Sequence, residues 1–129
     1  MRRRYVLLPL LALASMTAAG ATPPVEGAWG TPGTRLTLWA ERGLIEEGCA
    51  EIALPPVTLT ADGRFTVTGR MIAYAGGPQD ADAPPREIPV IIVGRLDGEV
   101  MELAIDQRGA ERRTLTLRQG FRGKIIRCL

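Results

Sequence analysis

An apolar–polar period of two, cut at short intervals by Asp-Gly and similar pairs, leaves this chain few architectures. Leu36 and Leu38 alternate with Arg35, Thr37 and Trp39. Val57 and Leu59 alternate with Thr58 and Thr60, and Phe65, Val67 and Met71 with Arg64, Thr66, Thr68 and Arg70. The pattern returns in Met101, Leu103 and Ile105 against Glu102, Ala104 and Asp106, and in Leu115 and Leu117 against Thr114, Thr116 and Arg118. Successive side chains of a strand point to opposite faces, so each run reads as a strand with one buried face. The Thr and Val content agrees with that reading. Between the runs stand Asp62-Gly63, Asp97-Gly98, Arg108-Gly109 and Gln119-Gly120. Asp-Gly between alternating runs is a strong hairpin signal, because glycine accepts the positive φ of a tight turn.

The runs predict an all-β chain of about eight strands: 34–39, 43–48, 50–54 running into 57–60, 64–74, 87–97, 99–106, 111–118 and 124–128. Strands joined by short turns form an antiparallel meander, and eight can close into a small barrel without exposed edges. No stretch beyond residue 21 carries helical periodicity for more than a turn or two. Ala40–Glu47 reads as a short helical turn or as a strand bent at Gly43 and Gly48. The run Ile88-Pro89-Val90-Ile91-Ile92-Val93 is apolar on both faces, which suits a strand covered on both sides or a partner surface.

The start of the chain sets an expected compartment. Arg2, Arg3 and Arg4 precede an apolar run from Tyr5 to Ala14, and the small residues Ala18, Ala19, Gly20 and Ala21 follow. That is the layout of a secretory signal peptide, with a cut after Ala21 and a mature domain over 22–129. The apolar run is shorter than the roughly 20 residues that span a bilayer. No cysteine lies near the cut, so the mature protein is expected without a stable membrane anchor, in the periplasm or the medium. The full chain has 16 basic and 14 acidic residues; losing the three arginines leaves 13 against 14, a net charge of −1. That balance gives no reason to expect nucleic acid as a partner.

A mature chain of 108 residues, 129 less 21, is one domain by size. Cys49 and Cys128 are its only cysteines. In an oxidising compartment an isolated pair reads as one disulfide. It would close a loop of about 80 residues, for roughly 4–5 kcal/mol in the chain-entropy model. It would also pin the C-terminus.

Side-chain chemistry is narrow. The sequence has no histidine, and its only serine, Ser15, lies before the expected cut. Nucleophilic triads and His-ligated zinc or copper sites of the usual construction are therefore excluded, and no cofactor is expected. Carboxylates remain. Glu46, Glu47 and Glu51 cluster around Cys49, and Glu102 and Asp106 share one strand face. Two carboxylates can hydrolyse a glycoside, but alternate strand positions also place such charges in water. Asp80 and Asp82 resemble a fragment of a calcium loop without its further ligands. They sit in an aperiodic stretch, Gly76-Gly77-Pro78-Gln79-Asp80-Ala81-Asp82-Ala83-Pro84-Pro85, a long connection between two long strands. Loops of that length in a compact domain tend to be functional or disordered, so Gly76, Gly77, Pro78, Asp80 and Asp82 form a candidate partner loop.

Gly27-Ala28-Trp29 resembles the Gly-x-Trp near the start of lipocalins and related calycin barrels. In that family the Trp crosses the bottom of the barrel and an Arg near the C-terminal end packs on it. The resemblance thus implies barrel closure by Trp29 with Arg122 or Arg127, a cation–π contact. The chain is shorter than a typical lipocalin and lacks a helix before the last strand. It is also similar to small exported bacterial proteins of unassigned function, through Gly27-Ala28-Trp29-Gly30, Cys49-Ala50, Asp62-Gly63-Arg64-Phe65, Gly76-Gly77-Pro78 and Arg127-Cys128-Leu129. That likeness spans nearly the whole mature chain; it supports the fold and the disulfide and implies no activity.

Three functions follow as expectations. The first is a non-catalytic binding barrel. It would hold a small apolar ligand in a cavity lined by Leu36, Leu38, Phe65, Val67, Leu103 and Leu115, or present Gly76–Pro85 to a protein. Those side chains could equally fill an eight-stranded interior. The alternative is a periplasmic inhibitor of a lysozyme or protease, with Thr22–Glu26 or Gly76–Pro85 as its arm. The third is a glycan-acting enzyme using Glu46, Glu47 or Glu51.

Overall fold

The computed structural model describes residues 22–73 and 86–126. The expected signal segment, the loop 74–85 and residues 127–129 lie outside the described residues. Eight strands run β1 Gly27–Thr31, β2 Thr34–Leu38, β3 Gly43–Glu47, β4 Ala50–Leu54, β5 Arg64–Ala73, β6 Glu87–Asp97, β7 Val100–Gln107 and β8 Arg113–Gln119. Each pairs antiparallel with the next, and β8 returns to β1 through Trp29↔Gln119 and Gly30↔Arg118, closing the barrel. No helix occurs among the described residues.

The period of two decides what faces inward. Leu36, Ile45, Ile52, Ile92, Met101 and Leu117 are fully buried, and Trp29, Val90, Leu103 and Ile105 nearly so. Burying such a side chain is favourable by roughly 1.5–3 kcal/mol. Glycines on the inner face let large neighbours cross the barrel axis. A Cβ at Gly94 would collide with the Phe65 ring. One at Gly69 would meet Ile52 and Leu54 at 2.8 and 2.9 Å, and one at Gly43 would meet Leu38 at 2.7 Å. Small opposite large is how a narrow barrel fills itself. Of the two roles open to Leu36, Leu38, Phe65 and Leu103, cavity lining or barrel filling, the structure shows the second: they make the packed core, with Val67 and Leu115 against it.

The expected turns occur. Gly33, Gly63, Gly98, Gly109 and Gly120 all take positive φ between 59° and 83°. Three strand assignments need correction. Gly27–Thr31 is a strand, although a five-residue segment with two glycines carries no clear period. The expected continuation at 57–60 is an irregular connection that folds Val57 into the core. Its carbonyl accepts from the Val25 amide at 2.8 Å, which ties the N-terminal lead-in to the barrel. The expected last strand at 124–128 is not one over its described part: 121–126 pairs with no strand. That segment folds back as a strap over the outer face of β1 to β3. The Phe121 carbonyl lies where a Cβ at Gly30 would stand, at 2.5 Å, and the Arg35 guanidinium reaches the Gly123 carbonyl at 3.5 Å. The Ile126 carbonyl lies against Gly48. Cys49, beside it in the β3–β4 turn, is exposed and is not a free thiol; Cys128 lies outside the described residues.

Candidate functional site

The outer faces of the two halves differ. The strap occupies the outside of β1 to β3, while the outside of β5 to β8 is open. There the register sets side chains in straight rows across the sheet. One row is Arg64, Arg95, Glu102 and Thr116; the next is Thr66, Val93, Ala104 and Thr114. Strand spacing of about 4.8 Å makes each row a line of near neighbours. Long side chains in the first row and small ones in the second leave a depression of about 340 Å³, reaching the backbone at Gly94, Leu103 and Leu115.

The charges here are arranged unusually. Arg64 and Arg95 stand directly opposite each other, a like-charge pair that a sheet disfavours. Asp62 relieves it, holding the Arg64 Nε at 3.3 Å. The Thr60 hydroxyl, donating to Asp62, holds that carboxyl below its usual range, and Arg64 and Arg95 act in the same direction. Arg95 and Glu102 are in register yet form no ion pair. Neither they nor Thr114 and Thr116 make a side-chain hydrogen bond among the described residues. Some other outer charges are matched, Arg35 with Glu46 at 3.6 Å, Arg70 with Glu87 at 3.7 Å and Arg112 with Asp106 at 3.6 Å, whereas Glu51 and Arg118 have no ion pair among the described residues.

The carboxylates expected around Cys49 separate. Glu46 and Glu51 are cross-strand neighbours on the outside. Glu47, one residue on, lies opposite Thr34 on the inner side. It takes two hydrogen bonds of 3.1 Å from Arg113 of β8, an ion pair bridging the mouth at the β1–β2 turn. Glu102 and Asp106 do share a face, with Asp106 held by Arg112. No group of three possible metal ligands comes together among the described residues.

Trp29 lies inside the barrel, its six-membered ring over Gly27, with Nε1 buried and without a hydrogen-bond partner among the described residues. The Gly-x-Trp spacing is thus used for packing: the missing Cβ of Gly27 admits the indole. Arg122 is exposed and Arg127 lies outside the described residues. A cation–π contact falls instead at Arg42 over Trp39, 4.4 Å from the ring centroid on the β2–β3 loop. Gly76, Gly77, Pro78, Asp80 and Asp82 also lie outside the described residues. The run 88–93 is resolved by alternation: Val90 and Ile92 are core, while Ile91 is 48% exposed on the open outer face.

Sequence reading passed over Arg64, Arg95, Ala104, Thr114 and Thr116 as site residues. A signal existed in the two-residue turn at Gly98. It fixes Asp97 opposite Val100, and counting back puts Arg95 beside Glu102 and Val93 beside Ala104.

With this geometry in hand, the chain was compared with known proteins: no family model matches it, no curated protein matches, and no solved structure matches.

Proposed function

We propose that this protein is an exported, non-catalytic β-barrel, periplasmic or secreted, that binds on the outside of β5 to β8 rather than within the barrel. The observation that carries this is the contrast between a core of interlocked side chains and an open outer depression whose Arg95, Glu102, Thr114 and Thr116 side chains make no hydrogen bond or ion pair among the described residues. Half-exposed Ile91 extends the same face. Export rests on the Arg2–Ala21 layout, and kinship with lipocalin-like exported barrels on Gly27-x-Trp29 and the strand count. A Cys49–Cys128 disulfide belongs to this reading. The strap brings Ile126 against Gly48, two residues short of Cys128 and one from Cys49.

The inhibitor reading keeps less support. Val25 is anchored to Val57, which leaves Thr22 to Pro24 and Glu26 as the exposed parts of that arm.

Amide shift mapping on the oxidised protein tests the outer-face reading, with a set of small polar and apolar compounds as probes. Shifts gathered at Val93, Glu102, Ala104, Thr114 and Thr116 are expected. Binding that perturbs Leu36, Ile45 and Met101 instead would show that the interior opens to ligand and would overturn it.

A further inference from the structure

We propose that the depression on β5 to β8 receives a zwitterion of dipeptide size, its carboxylate on Arg95 and its ammonium on Glu102. The inference rests on the outer-face reading above and gives that site a ligand class.

Arg95 is donor-only and Glu102, when ionised, acceptor-only. They project from directly paired positions on β6 and β7, where Cβ atoms stand about 5 Å apart, yet neither is spent on the other. A lone anion at Arg95 meets the repulsion of Glu102. A lone cation at Glu102 meets Arg95, with Arg64 behind it in the same row. A neutral polyol satisfies neither charge. A molecule carrying both signs satisfies both, and the two ends of an extended dipeptide lie roughly 5–7 Å apart.

The rest of the site fits such a molecule. Asp62 takes the Nε of Arg64, so the guanidinium best placed for an incoming carboxylate is that of Arg95. Thr116, next to Glu102, adds a hydroxyl for the ammonium end. Val93 and Ala104, one step along the strands, are half-buried small apolar side chains for the ligand's methyl groups. The depression, about 340 Å³, is at the small end of ligand sites. Both charges are exposed, so the expected affinity is weak, of the order of 1 mM.

The test is a titration of the full oxidised protein with Ala-Ala, followed by amide shifts. N-acetyl-alanine supplies the carboxylate alone and alaninamide the ammonium alone. Saturable shifts at Val93, Glu102, Ala104 and Thr116 are expected with Ala-Ala, and at least several-fold weaker binding with either analogue. Arg95→Gln and Glu102→Gln should each weaken Ala-Ala about tenfold, the loss of one charge-assisted hydrogen bond. The double reversal Arg95→Glu with Glu102→Arg should restore binding, because the ligand can turn end for end. Equal binding of the analogues, or no shift in the depression, would overturn the proposal. If a neutral sugar shifts the depression while Ala-Ala does not, the zwitterion assignment falls and the outer-face reading stands. Shifts confined to the interior would remove both.

Discussion

The four strands of the first half are five residues each, while those of the second run from seven to eleven. Inside the barrel the halves are alike: Leu36, Ile45 and Ile52 are as buried as Ile92, Met101 and Leu117. Outside they are opposites. The short half is crossed by the strap, for which Gly30 and Gly48 leave room; among the described residues nothing crosses the long half, and Arg95 and Glu102 in its depression form no ion pair. Stability therefore comes from one shared core, whereas the proposed binding site lies on one outer face. The longer strands carry the rows in which Arg95, Glu102 and Thr116 meet.

Truncating the core is the largest test of that equivalence. Ile45→Ala in the short half and Ile92→Ala in the long half should each cost about 2–5 kcal/mol in denaturant unfolding. Both remove a fully buried side chain from the same cluster. A mild Ile45→Ala beside a severe Ile92→Ala would mean that the short half is an annex rather than half of one core.

The strap gives the next effects. Cys128→Ser should lower stability by roughly 2–5 kcal/mol if the disulfide forms, and reduction of the wild type should reproduce the loss. A melting temperature unchanged by both would remove the disulfide. The glycines then separate inside from outside. Gly94→Ala drives a Cβ into the Phe65 ring within the core, at about 1–3 kcal/mol. Gly30→Ala meets the Phe121 carbonyl at 2.5 Å and the Phe121 ring at 3.2 Å, so it displaces strap backbone rather than core side chains. Its readout is faster amide exchange at Phe121, with exchange at Ile45 and Ile92 unchanged.

A weaker contribution spans the mouth. Arg113 and Glu47 form a forked ion pair of 3.1 Å, with Glu47 17% exposed and Arg113 46%. Partial exposure limits it to about 1 kcal/mol or less. Glu47→Gln should therefore lower stability slightly in dilute buffer and less in high salt. A large, salt-independent loss would show that the pair holds the two halves together.

The strands with strict alternation were legible from the sequence, because a buried inner face and a wet outer face leave that imprint directly. Both β5 and β7 emerge nearly as expected for this reason. Gly27–Thr31 escaped notice because its inner positions are Gly27 and Trp29, one with no side chain and one filling the space of two. Lys124–Ile126 misled in the other direction. Ile125 and Ile126 look like strand residues, but by then β8 already closes against β1 and leaves no edge to join. The proposed binding face was the least legible. No one of Arg95, Glu102 and Thr116 is unusual alone; their meaning comes from registers across three hairpins. Only the two-residue turn at Gly98 specified its own.

The smallest expected effect sits at the corner where the depression meets its turn. Asp62 accepts from the Thr60 hydroxyl, and its carboxyl is held below the ordinary value of 3.8, with Arg64 and Arg95 assisting. A carboxyl lowered on folding adds stability that is present above its unfolded pKa. That stability is lost as pH falls through the folded value. The contribution should therefore be intact at neutral pH and fade only below about pH 4, where the unfolded chain takes up a proton first. Thr60→Val removes the leading cause. The Asp62 carboxyl carbon, followed by NMR, should then titrate at higher pH, back toward 3.8. Arg95→Gln should move it the same way by less, since Arg95 contributes least of the three. If Arg95→Gln moved it more than Thr60→Val, the field of the depression would outweigh the turn's own hydrogen bond. Asp62 would then belong to the binding face rather than to the fold of the corner.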